Sequence, residues 1–172
     1  MEQGQFSSPP MRGRLEEAEF QTSFIEKVFS IVDSGSIRPI KVIVDTANGM
    51  VGPIITRIFS YLPVEFIGLY LEPDGSLPNH GLDPLQPENR AVLQRKVMEE
   101  RADVGFAFDG DGDRFFAIDD RGQFVPGDFL TAIIARYLLE KEREERIIYD
   151  VRASWAVPET IRLAGGTPLM ER

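Results

Sequence analysis

Residues 106–119 read FAFDGDGDRFFAID, and this stretch is the basis for predicting the fold of the chain around it. Two apolar runs flank a short segment in which three aspartates alternate with two glycines before an arginine. Apolar β-branched and aromatic residues favour strands, whereas Asp and Gly favour turns. The sequence therefore predicts a strand at 103–108, a polar loop, and a second strand at 114–119.

Strands and helices alternate upstream of this stretch. The aliphatic runs KVIVD (41–45) and VEFIGLY (64–70) predict strands, while apolar residues at helical spacing predict helices at 16–33, from Pro53 onward and at 87–102. Such alternation produces parallel strands with helices on the faces of the sheet. We predict an α/β fold with a mixed, mostly parallel sheet and flanking helices, and a loop of aspartates beyond a strand's carboxyl end, where open α/β sheets place their sites.

The pattern restarts after the turn DDRG, which predicts a hairpin. The later elements are a helix at 127–142 with Asp128 as its cap, a strand at 146–150, a helix at 154–166 and a strand from 167. These elements form a partial second α/β unit, since they bury too little surface to stand comfortably alone. The predicted division is a linker or tail at 1–14, an α/β domain at 15–122 and the partial unit at 123–172.

Composition excludes several classes of protein. The chain has 172 residues, of which 42% are hydrophobic, and its net charge of -9 leaves no basic patch for a nucleic-acid partner. It contains no cysteine, which excludes disulfides and thiolate metal sites. No apolar run approaches the roughly 20 residues of a membrane helix, and no signal peptide is recognisable. We therefore expect no membrane partner and a cytoplasmic location.

The three aspartates at 109, 111 and 113 need positive charge nearby. Carboxylates confined to one short loop repel each other, and Arg114 supplies a single charge. A bound divalent cation would neutralise more of this charge through the hard oxygen ligands that it prefers, and the intervening glycines let alternate side chains converge. Mg²⁺, Mn²⁺ and Ca²⁺ all fit this pattern.

Three other interpretations remain open at this point. The loop could be a solvated acidic turn. An EF-hand would have glycine at Arg114, glutamate at Asp120 and helices on both sides of the loop. An aspartyl-nucleophile phosphatase would have a hydroxyl or small apolar residue at Asp113 and a downstream lysine, for which Lys141 is the candidate. The last two interpretations fit the sequence only in part.

Several motifs in chain order resemble the α-D-phosphohexomutase family of phosphomannomutases and phosphoglucomutases. They are DTANGMVG (45–52), PNHGLDPLQPEN (78–89), DGDGDR (109–114), VPGDFL (125–130) and DVRASWAV (150–157). Members of this family have four domains: one with a phosphorylated serine, one with the metal loop, one that recognises the sugar and one that binds the substrate phosphate. The resemblance implies that residues 15–122 are the second of these domains and that residues 123–172 begin the third.

The resemblance also implies roles for individual residues. Asp109, Asp111 and Asp113 would hold Mg²⁺, with Mn²⁺ possible, and Arg114 would be a catalytic group that steadies a phosphate oxygen. Arg152 would contact the substrate. The remaining conspicuous side chains, including His80, are expected to be structural.

The implied reaction interconverts hexose 1-phosphate and hexose 6-phosphate through a phosphoserine and a bisphosphorylated sugar. The family's serine motif, its sugar-reading motif and its fourth domain are not found in this sequence. We therefore expect the metal-binding portion of a mutase, inactive alone, whose partners are the remaining domains and, through them, a hexose phosphate. The alternative is a non-enzymatic cation-binding partner or regulatory protein of the same fold.

Overall fold

The computed structural model describes residues 13–142 and 145–171, and the chain divides into two compact units, up to Ser34 and from Gly35 onward. The first unit contains the helix α1 (Gln21–Ile31), which is shorter than the predicted 16–33. Its start is marked by Glu19, whose carboxylate accepts the backbone N–H of Thr22 at 3.1 Å, one of the N–H groups that lack a partner within a helix. Most of the predicted tail, residues 1–12, lies outside the described residues.

The second unit contains a mixed five-stranded sheet. Its strands are β1 (Lys41–Asp45), β2 (Glu65–Leu69), β3 (Val104–Phe108), β4 (Phe115–Asp119) and β5 (Phe124–Val125). The order across the sheet is β2-β1-β3-β4-β5. Strand β1 runs parallel to β2 and β3, whereas β3 and β4, and β4 and β5, pair antiparallel. The predicted α/β fold with a mixed sheet is confirmed.

Helices α2 (Gly52–Phe59) and α3 (Pro87–Glu100) cover opposite faces of this sheet. Side chains alternate along a strand, so Val42 and Val44 of β1 pack with Ile55 of α2, whereas Ile43 packs with Leu93 of α3. All of these side chains are buried. The two apolar layers fix the sheet between the helices and place the carboxyl ends of β1, β2 and β3 at one edge.

The hairpin from β4 to β5 closes through the predicted turn. The backbone N–H of Gly122 donates to the Asp119 carbonyl at 2.9 Å, and Gly122 has a φ of +74°, which suits glycine. Gln94 of α3 donates to the Gly122 carbonyl at 2.7 Å. The hairpin was predicted, but its second strand was given no bounds, because two residues carry no periodic signal; the first sheet therefore extends past residue 122.

The last elements form a smaller α/β group, as predicted. They are α4 (Gly127–Lys141), β6 (Arg146–Asp150), α5 (Ala156–Leu163) and β7 (Thr167–Glu171), with β6 parallel to β7. The predicted cap at Asp128 is wrong. Extended Pro126 precedes the helix, so Asp128 lies inside the first turn and its carboxylate accepts the N–H of Phe129 at 3.1 Å. Within the described residues, no helix is long and apolar enough to cross a membrane.

Candidate functional site

The loop from Asp109 to Arg114, hereafter the aspartate loop, joins the antiparallel strands β3 and β4. Phe108 and Phe115 are the last paired residues, and the Asp109 N–H donates to the Arg114 carbonyl at 3.2 Å beyond them. The loop therefore starts at the carboxyl end of β3, where the sequence predicted it. Because strands flank it on both sides, the EF-hand interpretation is wrong: an EF-hand loop joins two helices.

Asp109 organises the aspartate loop from inside. Its side chain is buried, and its Oδ1 atom accepts the backbone N–H groups of Gly112 and Arg114, each at 3.1 Å. Its Oδ2 atom accepts the Nε–H of Arg114 at 2.7 Å. Burial opposes ionisation of Asp109, but the bonds from the Arg114 backbone and guanidinium outweigh it and hold the pKa of this carboxyl below its usual range. Asp109 is therefore a fixed carboxylate.

The two glycines allow the loop to pack against the turn that follows β1. Gly112 has a φ of +78°, and a Cβ at this position would overlap the side chain of Val51. A Cβ on Gly110 would lie 2.7 Å from Cδ1 of Leu82. These close approaches explain why glycine alternates with aspartate. The loop backbone contacts Val51 and Leu82 directly, where a Cβ would not fit, while the acidic side chains project together.

Asp111 and Asp113 are exposed, and ligand oxygens of all three aspartates lie within 4.8 Å of one another. The charge of Asp111, together with burial and the charge of Asp109, raises the pKa of Asp113 above its usual range, and Arg114 offsets only part of this effect. The cluster thus retains an excess of negative charge. Three carboxylates in such an arrangement match the oxygen donors that Mg²⁺ and Mn²⁺ prefer, so the donor set fits a divalent cation.

Arg114 lies at the mouth of the loop, where its Nε atom is bound to Asp109 and is 3.5 Å from Asp113. The hydrogen bond and charge of Asp109 raise the pKa of Arg114, and the more distant charge of Asp83 contributes. The side chain remains 55% exposed. Its Nε is therefore used within the loop, while the outer part of a planar, permanently charged group faces solvent.

A cavity of about 590 Å³ opens beside the aspartate loop. Asp109, Asp111 and Arg114 line it, together with the turn at 48–50 and with part of the segment between β2 and α3, which includes Asp83. Part of this lining lies in motifs that the sequence had singled out, DTANGMVG (45–52) and PNHGLDPLQPEN (78–89), but no residue of either part was assigned a role in binding. The loop and the cavity together form a concave acidic site, and the positively charged guanidinium of Arg114 lies at its edge.

Arg152 lies elsewhere, immediately after β6 in the second sheet, and is not one of the cavity's lining residues within the described chain. Its Nε and Nη2 atoms donate to the two oxygens of Asp150 at 2.8 and 3.0 Å, and its backbone N–H donates at 2.7 Å. These bonds lower the pKa of Asp150 from 3.8 to about 2. The structure thus does not bring Arg152 together with the aspartate loop.

Replacing Arg152 with alanine should raise the pKa of Asp150 toward 3.8. The folded-state pKa of Asp150 is depressed, so its pairing stabilises the protein above the ordinary Asp pKa and the contribution is lost as pH falls through about 2. A carboxyl-carbon NMR titration of Asp150 measures the shift, with Arg162→Ala, a change of an exposed arginine in α5, as the control. An unchanged Asp150 titration in Arg152→Ala would contradict the pairing.

A family model described as phosphoglucomutase/phosphomannomutase, alpha/beta/alpha domain II, matches residues 19–122, the stretch that contains the whole aspartate loop and its cavity. The chain belongs to this family. The phosphoglucomutase/phosphomannomutase match ends before Arg152, which lies beyond its last residue.

Individual members of the phosphoglucomutase/phosphomannomutase family agree with this assignment. The phosphomannomutase of Salmonella montevideo is 37% identical over 166 residues, covering 94% of this chain and 36% of the relative. The Escherichia coli K12 phosphomannomutase is 36% identical over the same shares of the two chains. The chain therefore spans only about 36% of the length of these relatives.

Solved structures from the phosphoglucomutase/phosphomannomutase family also share the fold. A family protein from Burkholderia thailandensis superposes with a TM-score of 0.83 at 36% identity, covering 91% of this chain and 34% of that one. The phosphoglucomutase parafusin from Paramecium, in an open form, has a TM-score of 0.71 at 19% identity, covering 87% of this chain and 29% of its own, which shows the fold alone.

Proposed function

We propose that this chain is the cation-binding portion of a phosphohexomutase, an isomerase of carbohydrate metabolism that interconverts hexose 1-phosphate and hexose 6-phosphate. The single observation that carries the proposal is the aspartate loop, a buried carboxylate with two exposed ones and an arginine at a cavity, inside the stretch that matches the family. The phosphoryl group would travel through a phosphoserine and a bisphosphorylated sugar, and the parent enzyme would be a cytoplasmic phosphoprotein.

Asp109, Asp111 and Asp113 would hold the cation, which we propose to be Mg²⁺, with Mn²⁺ as a substitute. When bound, the cation supplies positive charge that stabilises the negative charge spread over phosphoryl oxygens during transfer. The protein's own contribution is to fix the carboxylates beforehand. Asp109 does this through its hydrogen bonds to the loop backbone, which hold the loop closed.

Arg114 would bind a phosphate oxygen at the mouth of the cavity. An acidic site repels an anionic substrate, so a positive group must lie where the phosphate enters. Because Asp109 holds Nε, the guanidinium is oriented and its exposed outer edge can form paired hydrogen bonds to phosphate. We propose this phosphate-binding role as the catalytic function of Arg114.

Arg152 would contact the substrate from the second α/β group. Its bonds to Asp150 orient the guanidinium, and the side chain remains 87% exposed, so a phosphate could share or replace the carboxylate. We propose that residues 15–122 act as the family's second domain and residues 123–172 as the beginning of the third. The chain alone would be inactive, since the reaction also needs the phosphoserine and the phosphate-gripping domain of the parent enzyme.

A chimeric enzyme tests this function. Residues 19–122 of this chain would replace the matching stretch of the Salmonella montevideo phosphomannomutase, and conversion of mannose phosphate would be measured with and without Mg²⁺. We expect Mg²⁺-dependent turnover, and a loss of about 10² to 10³ in rate when Asp111 and Asp113 are both changed to Asn, comparable to removal of other electrostatic stabilisers. A folded chimera that binds Mg²⁺ but converts nothing would favour the non-enzymatic alternative.

A further inference from the structure

Asp45 is a buried carboxylate that the proposed reaction does not use. It ends β1, and it is only 1% exposed. Its Oδ1 atom accepts the backbone N–H of Ala47 at 2.9 Å, and the Nε2 atom of His80 lies 3.2 and 3.1 Å from its two oxygens. A buried charge is costly unless it is paired and hydrogen-bonded, so these two partners account for its presence in the core.

The first partner connects Asp45 to the aspartate loop through the turn after β1. Ala47 and Asn48 both adopt left-handed backbone conformations, with φ of 50° and 56°. Such conformations are unfavourable for alanine and persist where the surroundings impose them; here the Asp45 carboxylate bonds the Ala47 N–H. In the same turn, the backbone N–H of Met50 donates a hydrogen bond to the carbonyl of Gly110 at 2.9 Å.

The second partner connects Asp45 to the same glycine through a different segment. His80 is two residues before Leu82, whose side chain packs on Gly110. The rings of Tyr70 and His80 pack in a T-shaped arrangement, with 5.2 Å between centroids. Gly110, in the middle of the aspartate loop, thus contacts two segments that both lead back to Asp45.

The imidazole of His80 is suited to this place only as a cation. Its Nδ1 atom is 2.8 Å from the Gly81 carbonyl and its Nε2 atom faces the Asp45 carboxylate, so both ring nitrogens face oxygens that can only accept. A neutral imidazole has one N–H donor, whereas the imidazolium has two. The hydrogen bond to Asp45 raises the pKa of His80, with a smaller contribution from Gly81, although burial opposes protonation.

Asn48 fastens the two segments to each other. Its backbone N–H donates to the Tyr70 carbonyl at 2.9 Å, and its Nδ2 donates to the Glu72 carbonyl at 2.8 Å. Its own carbonyl accepts the N–H of Asp74 at 2.9 Å, and its Oδ1 accepts from Nδ2 of Asn79 at 2.7 Å. The segment between β2 and α3 is therefore tied to the turn through every polar group of Asn48.

We propose that Asp45 and His80 form a positioning pair for the cation site, which fixes the two segments that contact Gly110 and so sets the spacing of the three aspartates. The pair binds no cation itself. This inference rests on the proposed function of the aspartate loop. It assigns to the motifs DTANG and PNHG a joint role in preparing that loop, beyond the turn-forming role that each has alone.

The test compares His80→Ala with His80→Gln, because the Nε2 of glutamine can replace the N–H that faces Asp45. Binding of Mn²⁺ to the full chain would be followed by the loss of the free-ion electron paramagnetic resonance signal. We expect His80→Ala to weaken Mn²⁺ binding about tenfold, the lower end of the range for groups that orient metal ligands, and His80→Gln to recover most of it. Val97→Ala, a buried change in α3 away from the loop, controls for general destabilisation.

A second readout is specific to the pair. His80 is the only histidine in the chain, so its ring signals give its pKa by NMR without assignment. In Asp45→Asn this pKa should fall back toward the ordinary histidine value. The proposal is overturned if His80→Ala binds Mn²⁺ as tightly as the unmodified chain, or if Val97→Ala, at an equal loss of melting temperature, weakens binding equally. If the unmodified chain binds no Mn²⁺, the proposed cation site fails instead.

Discussion

Changing Asp109 to asparagine is expected to abolish cation binding and to destabilise the folded chain, whereas Asp111→Asn should only weaken binding. Asp109 is buried and accepts three hydrogen bonds within its loop, two from backbone N–H groups and one from Arg114. Asparagine places an NH₂ group where one of the accepting oxygens stands, so at least one donor loses its partner. Leaving such groups unsatisfied costs about 1–3 kcal/mol.

Asp111→Asn is the matched control, since the same atom is exchanged in an exposed side chain of the same loop. It removes one ligand charge, which should weaken binding by about one to two orders of magnitude, on the scale over which ligand charge tunes Ca²⁺ loops. The charge of Asp111 is the main cause of the raised pKa of Asp113, so the substitution removes a repulsion between these two carboxylates. The melting temperature should therefore be unchanged or slightly raised.

Calorimetric Mg²⁺ titration and thermal melting of both variants separate these effects. Asp109→Asn should lose both binding and stability, and Asp111→Asn should lose binding alone. Equal melting temperatures for Asp109→Asn and the unmodified chain would show that the hydrogen bonds of Asp109 do not hold the loop.

Gly52→Ala should have the largest effect on stability. Gly52 is the buried first residue of α2, and a Cβ at this position would overlap the carbonyl oxygen of Leu71. The Leu71 atoms belong to the backbone and the position of a Cβ is fixed by its own backbone, so no side-chain rotation can relieve the contact; the start of α2 or the segment after β2 must move. Overpacking of this kind should cost more than about 4 kcal/mol, the range in which single changes are exceptional.

Gly127→Ala is the control for this substitution, because Gly127 is also the first residue of a helix, α4, and a Cβ there would meet nothing within 4 Å. Its stability should be unchanged or raised by about 0.4–1 kcal/mol, since alanine restricts the unfolded chain. Urea denaturation measures the free energy of unfolding of both variants. If Gly52→Ala and Gly127→Ala unfold at the same urea concentration, the close packing of α2 against the segment after β2 is not present in solution.

The sequence predicted the central part of this fold well because its signals are local. The strand predicted from KVIVD has the same first and last residues as β1, and the DGDGDR loop lies between two strands as expected. In these segments, strand propensity, turn residues and apolar patterning all indicate the same structure. The convergence of the three aspartates followed from their spacing alone.

Other features depend on contacts that the local sequence does not encode. Strand β5 exists because β4 offers it a partner, and Asp128 is displaced from the cap by the extended Pro126 before it. The contact between Asp45 and His80 joins residues 35 apart in sequence. Neither residue has an apolar period or a charge run that would indicate the pairing, so the sequence alone did not predict it; the parallel pairing of β1 with β2 brings the two motifs together.

Amide NMR with Mn²⁺ tests the central claim most directly, because a paramagnetic ion broadens the signals of residues near it. The ¹⁵N-labelled chain would be titrated with Mn²⁺ well below one equivalent, and excess Mg²⁺ would then be added. The account predicts that Gly110, Gly112 and their neighbours in the aspartate loop lose intensity first, and that Mg²⁺ restores them. Broadening that begins at other acidic residues, such as those near the end of α4, or that spreads uniformly over the chain, would contradict it.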